Sequence, residues 1–188
     1  MQSLAERAVR IDVDTYHQVP LHTERRTELL DGRIVEMNPI GVAHRVVVTR
    51  LQQQLGELNR QGRLLIQQPL RLAQHDEPEP DVQILHGQAP LRPIEPRDVA
   101  LVIEVSYSTL ELDRKYKLPR YLAAALPVWI INVSDHAQPI VELYKDDAAR
   151  PELEARTGRL TVVDDLTINL DELFVGLASL PQDELPLE

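Results

Sequence analysis

Two consecutive apolar runs each carry a carboxylate at one end, and this pairing restricts the chain more than any other feature. The first run is Glu79-Pro80-Asp81-Val82-Gln83-Ile84-Leu85, the second Val99-Ala100-Leu101-Val102-Ile103-Glu104-Val105-Ser106. Pro80 cannot donate to a hydrogen-bond ladder, so it marks a strand start and puts Asp81 there. Glu104 falls near the C-terminal end of the second strand. If the strands are antiparallel neighbours, the start of one abuts the end of the other. A carboxylate on an apolar strand is costly to desolvate unless a cation lies beside it. Two close together repel, and a divalent cation relieves this while taking hard oxygen ligands. The carbonyl of Val105 offers a further ligand. Mg²⁺ keeps several waters and accepts phosphate oxygens, so the arrangement implies phosphodiester cleavage with Asp81 and Glu104 as metal ligands.

Lysine is scarce, with Lys115, Lys117 and Lys145 against seventeen arginines. Lys117 stands four residues from both Asp113 and Tyr121, which places the three along one helix face. It is the candidate cation for orienting the attacking water or offsetting charge on the phosphate; the competing reading is an Asp113–Lys117 surface ion pair with Tyr121 in the core. His44 lies on the apolar stripe of its helix and is either a core histidine or a residue facing the site. Glu28 and Glu36 flank a hairpin and are either further acids of the site or plain surface residues. Arg45, Arg114 and Arg120 are the candidates for phosphate contact. The other histidines have no metal-ligand spacing, and no phosphate-cradling glycine loop or nucleophile elbow is present.

Along the chain, Asp12–Gln18 reads as a short helix. Thr27–Leu30 and Arg33–Met37 read as a hairpin closed by Asp31-Gly32, a strong two-residue turn signal. A long helix is predicted from about Val42 to Arg60, with His44, Val47, Val48, Leu51, Leu55 and Leu58 on one stripe. Strands follow at Arg63–Gln67, Leu70–Ala73, Asp81–Leu85 and Ala100–Ser106, with a proline-rich loop over 86–98. Ser108-Thr109-Leu110-Glu111 matches a capping box with Ser108 as N-cap. Pro119 sits inside the apolar pattern of the helix that follows, so that helix either kinks there or begins late. Trp129–Val133, Ile140–Tyr144, Arg159–Val163 and Thr167–Asn169 are further strands, and Leu170–Phe174 a helical turn. The order predicts an α/β domain with a mixed central sheet flanked by helices.

The 188 residues suit one domain with a core over about 12–174 and an acidic tail over about 175–188. No apolar run reaches the length needed to span a bilayer. The N-terminus lacks the apolar stretch of a secretory signal. With no cysteine, disulfides and thiolate chemistry are excluded. A cytoplasmic protein is the expectation. The net charge of −10 argues against tight non-specific binding to nucleic acid. Much of it comes from residues 146–188, where eleven acids face only Arg150, Arg156 and Arg159, and the bland reading of that segment is a solvated surface.

At these residues the chain resembles the Uma-two family of restriction-endonuclease-like proteins, within the PD-(D/E)XK nuclease superfamily. The resemblance runs from about Asp12 to Phe174. It is carried by Glu28-Leu29-Leu30-Asp31-Gly32-Arg33-Ile34-Val35-Glu36-Met37, His44, Glu79-Pro80-Asp81-Val82 and Val102-Ile103-Glu104-Val105-Ser106. It continues through Ser108-Thr109-Leu110, Asp113-Arg114, Lys117, Tyr121 and Trp129-Ile130-Ile131-Asn132. It implies a restriction-endonuclease-like fold, Mg²⁺ or Mn²⁺ as cofactor, DNA as substrate and Asp81 and Glu104 as metal ligands. The superfamily's lysine position, two residues after the second acid, holds Ser106 here. Lys117 on the following helix matches the family's alternative placement. Tyr107 stands where the family often has an acidic residue or proline, and Ala125 replaces a usual glycine. Two rival readings are a nuclease-fold accessory module without turnover, for which a homodimer is the expected form, and a glycoside hydrolase using the same acid pair. Aromatic residues at 4% leave few sugar-stacking platforms for the latter.

Overall fold

The computed structural model describes residues 9–21 and 23–181; of the acidic C-terminal segment, residues 182–188 lie outside the described residues. Asp12 caps α1 (Val13–Tyr16) by accepting a 2.8 Å bond from the Thr15 amide. β1 (Thr27–Leu30) and β2 (Arg33–Glu36) form the N-terminal hairpin. At its turn Asp31 has φ 55° and Gly32 φ 71°, the paired positive values that an Asp-Gly turn supplies. A side chain at Gly32 would meet the Arg10 Cβ at 2.7 Å.

α2 (Val42–Gln54) and α3 (Gly56–Arg60) occupy the stretch predicted as one helix. The run breaks at Leu55, where ψ swings to 18° just ahead of Gly56, the residue with the least helical preference in the run. β3 (Leu64–Ile66), β4 (Val82–Leu85) and β5 (Val99–Ser106) follow. A helical run then comprises α4 (Leu110–Leu112), a π-turn (Asp113–Lys117) and α5 (Leu118–Ala123). The chain ends in β6 (Val128–Asn132), β7 (Ile140–Tyr144), β8 (Leu153–Ala155), β9 (Arg159–Val163), β10 (Leu166–Asn169) and α6 (Leu170–Phe174).

The central sheet has six strands in the order β3-β4-β5-β6-β7-β8, and β9 and β10 form a separate hairpin. Only β5 and β6 run parallel, because the helical run between them returns the chain to the same end of the sheet. Alternate residues of β5 serve opposite faces. Leu101, Ile103 and Val105 pack with α2, α3, α6 and the β9–β10 hairpin, whereas Val102 packs with Leu118 and Tyr121 of α5. The fold is thus mixed α/β, a central mixed sheet flanked by helices with an N-terminal hairpin, as the element order predicts.

Three local expectations give way. Leu70–Ala73 is not a strand but two isolated bridges, Leu70 with Ile94 and Ala73 with Asp76, because Leu72 and Ala73 fold back onto Asp76 in a tight turn. Ser108 is not the N-cap. Thr109 holds that position without a side-chain cap bond, since its hydroxyl is donated to Asp113. The edge strand β8 is absent from the expectation, being three residues long with an exposed Leu153 and so without a burial pattern to read. Of the two alternatives for Pro119 the late start holds, since α5 begins only at Leu118. The π-turn, closed by the Leu118 amide on the Asp113 carbonyl, admits an extra residue ahead of α5, and Pro119 falls in the first turn of that helix, where no amide is needed.

Candidate active site

Register builds the site. β4 pairs β5 antiparallel with Val82 opposite Ile103, so Asp81 arrives beside Glu104. The Asp81 amide lies 3.4 Å from Glu104 Oε2, and the Val105 amide donates to Asp81 Oδ2 at 2.9 Å. His44, at the start of α2, places Nε2 2.9 Å from the same Oδ2, while its Nδ1 is buried without a hydrogen bond. Gln67 donates to Asp81 Oδ1 at 3.3 Å from a left-handed backbone, φ 49°.

The parity of β5 sends Glu104 and Ser106 toward the helical run. There Tyr121 OH donates to Glu104 Oε1 at 2.6 Å, and Lys117 Nζ approaches the same oxygen at 3.3 Å. Lys117 also donates to Glu28 at 3.0 Å and stands 3.9 Å from Asp113. Asp113 Oδ2 accepts from Ser106 Oγ at 2.7 Å and Thr109 Oγ1 at 2.6 Å. Asp113, Lys117 and Tyr121 therefore do not form a surface ion pair over a core tyrosine; all three are buried around Glu104.

Burial sets the protonation energies. It pushes the Glu104 carboxyl well above its ordinary value; Lys117 draws it back, and Asp113, Asp81 and Glu28 push it further. Burial likewise raises Asp113 and Glu28 against the pull of Lys117. Asp81 behaves oppositely. Burial works to raise it, but His44, the Val105 amide and Lys117 together hold it below its ordinary value. Burial disfavours the Lys117 ammonium, yet Glu104, Glu28, Asp113 and Asp81 outweigh it, so the lysine stays protonated above its usual range. Tyr121 is raised well above its ordinary value by burial and by the adjacent carboxylates.

Apart from Tyr121 and Ser106, these side chains line a cavity of about 40 Å³. Five carboxyl groups (Glu28, Glu79, Asp81, Glu104 and Asp113) face two permanent cations, Arg26 and Lys117, and the surplus of negative charge suits a divalent cation. Among the described residues no three His, Cys, Asp or Glu side chains are arranged to hold a metal ion. The available donor set includes the Asp81 and Glu104 carboxylates. Asp81 Oδ1 and Glu104 Oε2 each accept only one long bond, 3.3 and 3.4 Å, so each acid keeps an oxygen with coordinating capacity. Hard oxygens of this kind fit Mg²⁺ or Mn²⁺.

The profile of the Uma2 family, described as "Putative restriction endonuclease", matches residues 13–177. The chain belongs to the Uma2 family. Its fold is also that of a crystal structure from Anabaena variabilis described as a "putative nuclease belonging to DUF820". The TM-score is 0.64 at 15% identity, covering 89% of this chain and 99% of that one. No curated protein gives a significant match to the chain. No described helix is long and apolar enough to cross a membrane.

In this Uma2 protein several expected site residues are directed elsewhere. Glu36 is half-exposed on the hairpin, 3.9 Å from Arg25. Arg114 forks onto Glu142 of β7, which also accepts from Tyr144 at 2.8 Å. Arg120 donates to Asp76 at 2.6 Å and to the Tyr116 carbonyl, tying α5 to the turn beneath the hairpin. Arg45 is exposed on α2 and does not line the cavity. Tyr107 forms part of the wall, its ring 5.3 Å from that of buried His136. Arg26, Gln67, Glu79 and Thr109 are cavity residues that the sequence reading left out. For Arg26 a signal existed: it stands two residues before Glu28, and two-residue spacing along an extended segment puts both on one face. For Gln67 there was none, since its position depends on a left-handed backbone.

Proposed function

We propose that this Uma2 protein is a metal-dependent endonuclease that hydrolyses phosphodiester bonds in DNA. The observation that carries the reading is the convergence of Asp81 and Glu104 from antiparallel strands, each with coordinating capacity left, in a cavity with a surplus of carboxylates. Asp81, Glu104 and the Val105 carbonyl would hold Mg²⁺ or Mn²⁺. When bound, such an ion polarises the phosphate and makes water a stronger nucleophile at neutral pH. The chain's own groups do the positioning. His44, Gln67 and the Val105 amide fix the Asp81 carboxylate, and Tyr121 and Lys117 fix Glu104. Lys117, kept protonated by the acids around it, acts as a cation toward developing negative charge and not as a base.

Incubation of the purified protein with plasmid DNA and Mn²⁺ tests the reading. Nicking or linearisation is expected, with a loss of about 10²-fold or more in Asp81→Ala and in Glu104→Ala. Cleavage at wild-type rate by both variants would overturn it. A second reading, a nuclease-fold module without turnover, draws support from the small cavity and the net charge of −10. Calorimetry separates the two, because such a module binds DNA or a protein partner with no measurable metal affinity.

A further inference from the structure

Every cation considered so far near the site is already engaged. Lys117 is shared between Glu28 and Glu104, with Asp113 close by, and it is 2% exposed. Arg114 is held by Glu142, and Arg120 by Asp76. Arg26 differs. It lines the cavity, and its Nε and Nη1 are buried without any hydrogen-bond acceptor. Its ion pairs are long and leave it without a hydrogen bond, with Glu79 Oε2 3.5 Å from Nε and Glu28 Oε1 3.9 Å from Nη2. The backbone there is fixed, because the Arg26 carbonyl accepts from the Met37 amide at 2.8 Å and extends the β1–β2 ladder past its last pair. A guanidinium always stays charged, and its planar fork matches two oxygens of a phosphate.

We infer that Arg26 is the phosphate-gripping residue of this site, the adjacent Nη1 and Nη2 donors of its fork receiving a non-bridging oxygen pair of the DNA phosphodiester. This rests on the endonuclease reading and extends it. The roles then divide: Lys117 holds the acids in place, and Arg26 holds the substrate. Binding would also satisfy the buried Nη1 donor, which has no hydrogen bond within the protein. The residue lies outside the acid–acid–lysine set on which the sequence reading relied.

The test uses the full chain and three forms, wild type, Arg26→Lys and Arg26→Ala, each confirmed as folded by thermal melting. Fluorescence anisotropy with a short DNA duplex in Ca²⁺, which supports binding without turnover, is read beside single-turnover cleavage in Mn²⁺. The expected result is a loss of about 10²-fold in cleavage for Arg26→Ala, with weakened duplex binding. Arg26→Lys should recover little, because an ammonium lacks the fork. Millimolar guanidinium should restore part of the activity of Arg26→Ala and leave wild type unchanged, a response that a purely structural role would not give. If wild type cleaves and Arg26→Ala cleaves equally well, the inference is overturned and the endonuclease reading stands. If no form cleaves, the endonuclease reading fails, and binding alone decides: affinity lost in Arg26→Ala supports the anion grip, and unchanged affinity overturns it.

Discussion

Glu104 is a buried carboxyl set among other acids. Its carboxyl is 3% exposed, faces three other acids, and depends on one ammonium and one phenol. A carboxyl whose pKa is higher folded than unfolded takes up a proton on folding. Its favourable contribution is therefore complete below its ordinary value of 4.5 and is lost as pH climbs through the elevated folded value. Asp81, depressed on folding, runs the other way and loses its contribution as pH falls. Glu104→Gln keeps an acceptor for Tyr121 and Lys117 and removes the charge. The variant is expected to be more stable than wild type by about 1 kcal/mol at pH 8, the usual yield of relieving a functional compromise. The advantage should shrink toward pH 5. Urea denaturation at both pH values measures it, and a gap that narrows with rising pH would contradict the assignment.

Among the elements, α5 ends in a conformation that its sequence does not favour. The Leu126 amide reaches the Tyr121 carbonyl at 3.0 Å, and the Ala125 amide reaches Leu122 at 2.9 Å, the two bonds of a Schellman closure. That motif needs a left-handed residue, and Ala125 holds it at φ 58°. A glycine would carry no Cβ penalty there. Ala125→Gly is expected to stabilise the protein by about 0.5–1 kcal/mol, the strain relieved exceeding the added freedom of the unfolded chain. Thermal or urea denaturation shows it, and a destabilised variant would contradict the account. Tyr121 opens this closure and also anchors Glu104, so the helix end and the site share one residue. The π-turn ahead of it plays the matching role at the other end. It accommodates Pro119 while Asp113 and Lys117 stay buried on the site side.

For the whole molecule, an ion that binds the folded chain and not the unfolded one must raise its stability by mass action. At a Mg²⁺ or Mn²⁺ concentration of about 100 times Kd, the gain is about 2.7 kcal/mol. In a protein of this size that corresponds to a rise of about 5–10 °C in Tm. The shift should disappear in Asp81→Asn and reverse on adding EDTA. Scanning fluorimetry reads it without any substrate, and an unchanged Tm in saturating metal would remove the metal from the proposal. The overall charge of −10 has a related consequence for the proposed activity, since DNA would have to approach a protein whose field repels it. On the proposed reading, a divalent cation in the cavity would reduce that repulsion where a phosphate would sit.

What the residues alone determined here is every strand except β8, with Leu70–Ala73 wrongly added, the Asp-Gly hairpin turn, the mixed α/β class and the acid pair. Each rests on local signals, an apolar run, a turn dipeptide or a proline that fixes a strand start. The burial of Lys117 was not local information. A four-residue spacing from Asp113 is equally compatible with a solvated ion pair, and only the packing of the π-turn against β5 removes it from water. The arginines make the same point in reverse. Arg114 and Arg120 look available along the chain, yet Glu142 and Asp76, distant in sequence, hold them. Whether a charged side chain is spent depends on partners brought close by the sheet register and the crossover, so the tertiary structure alone showed that Arg26 keeps donors without a hydrogen bond.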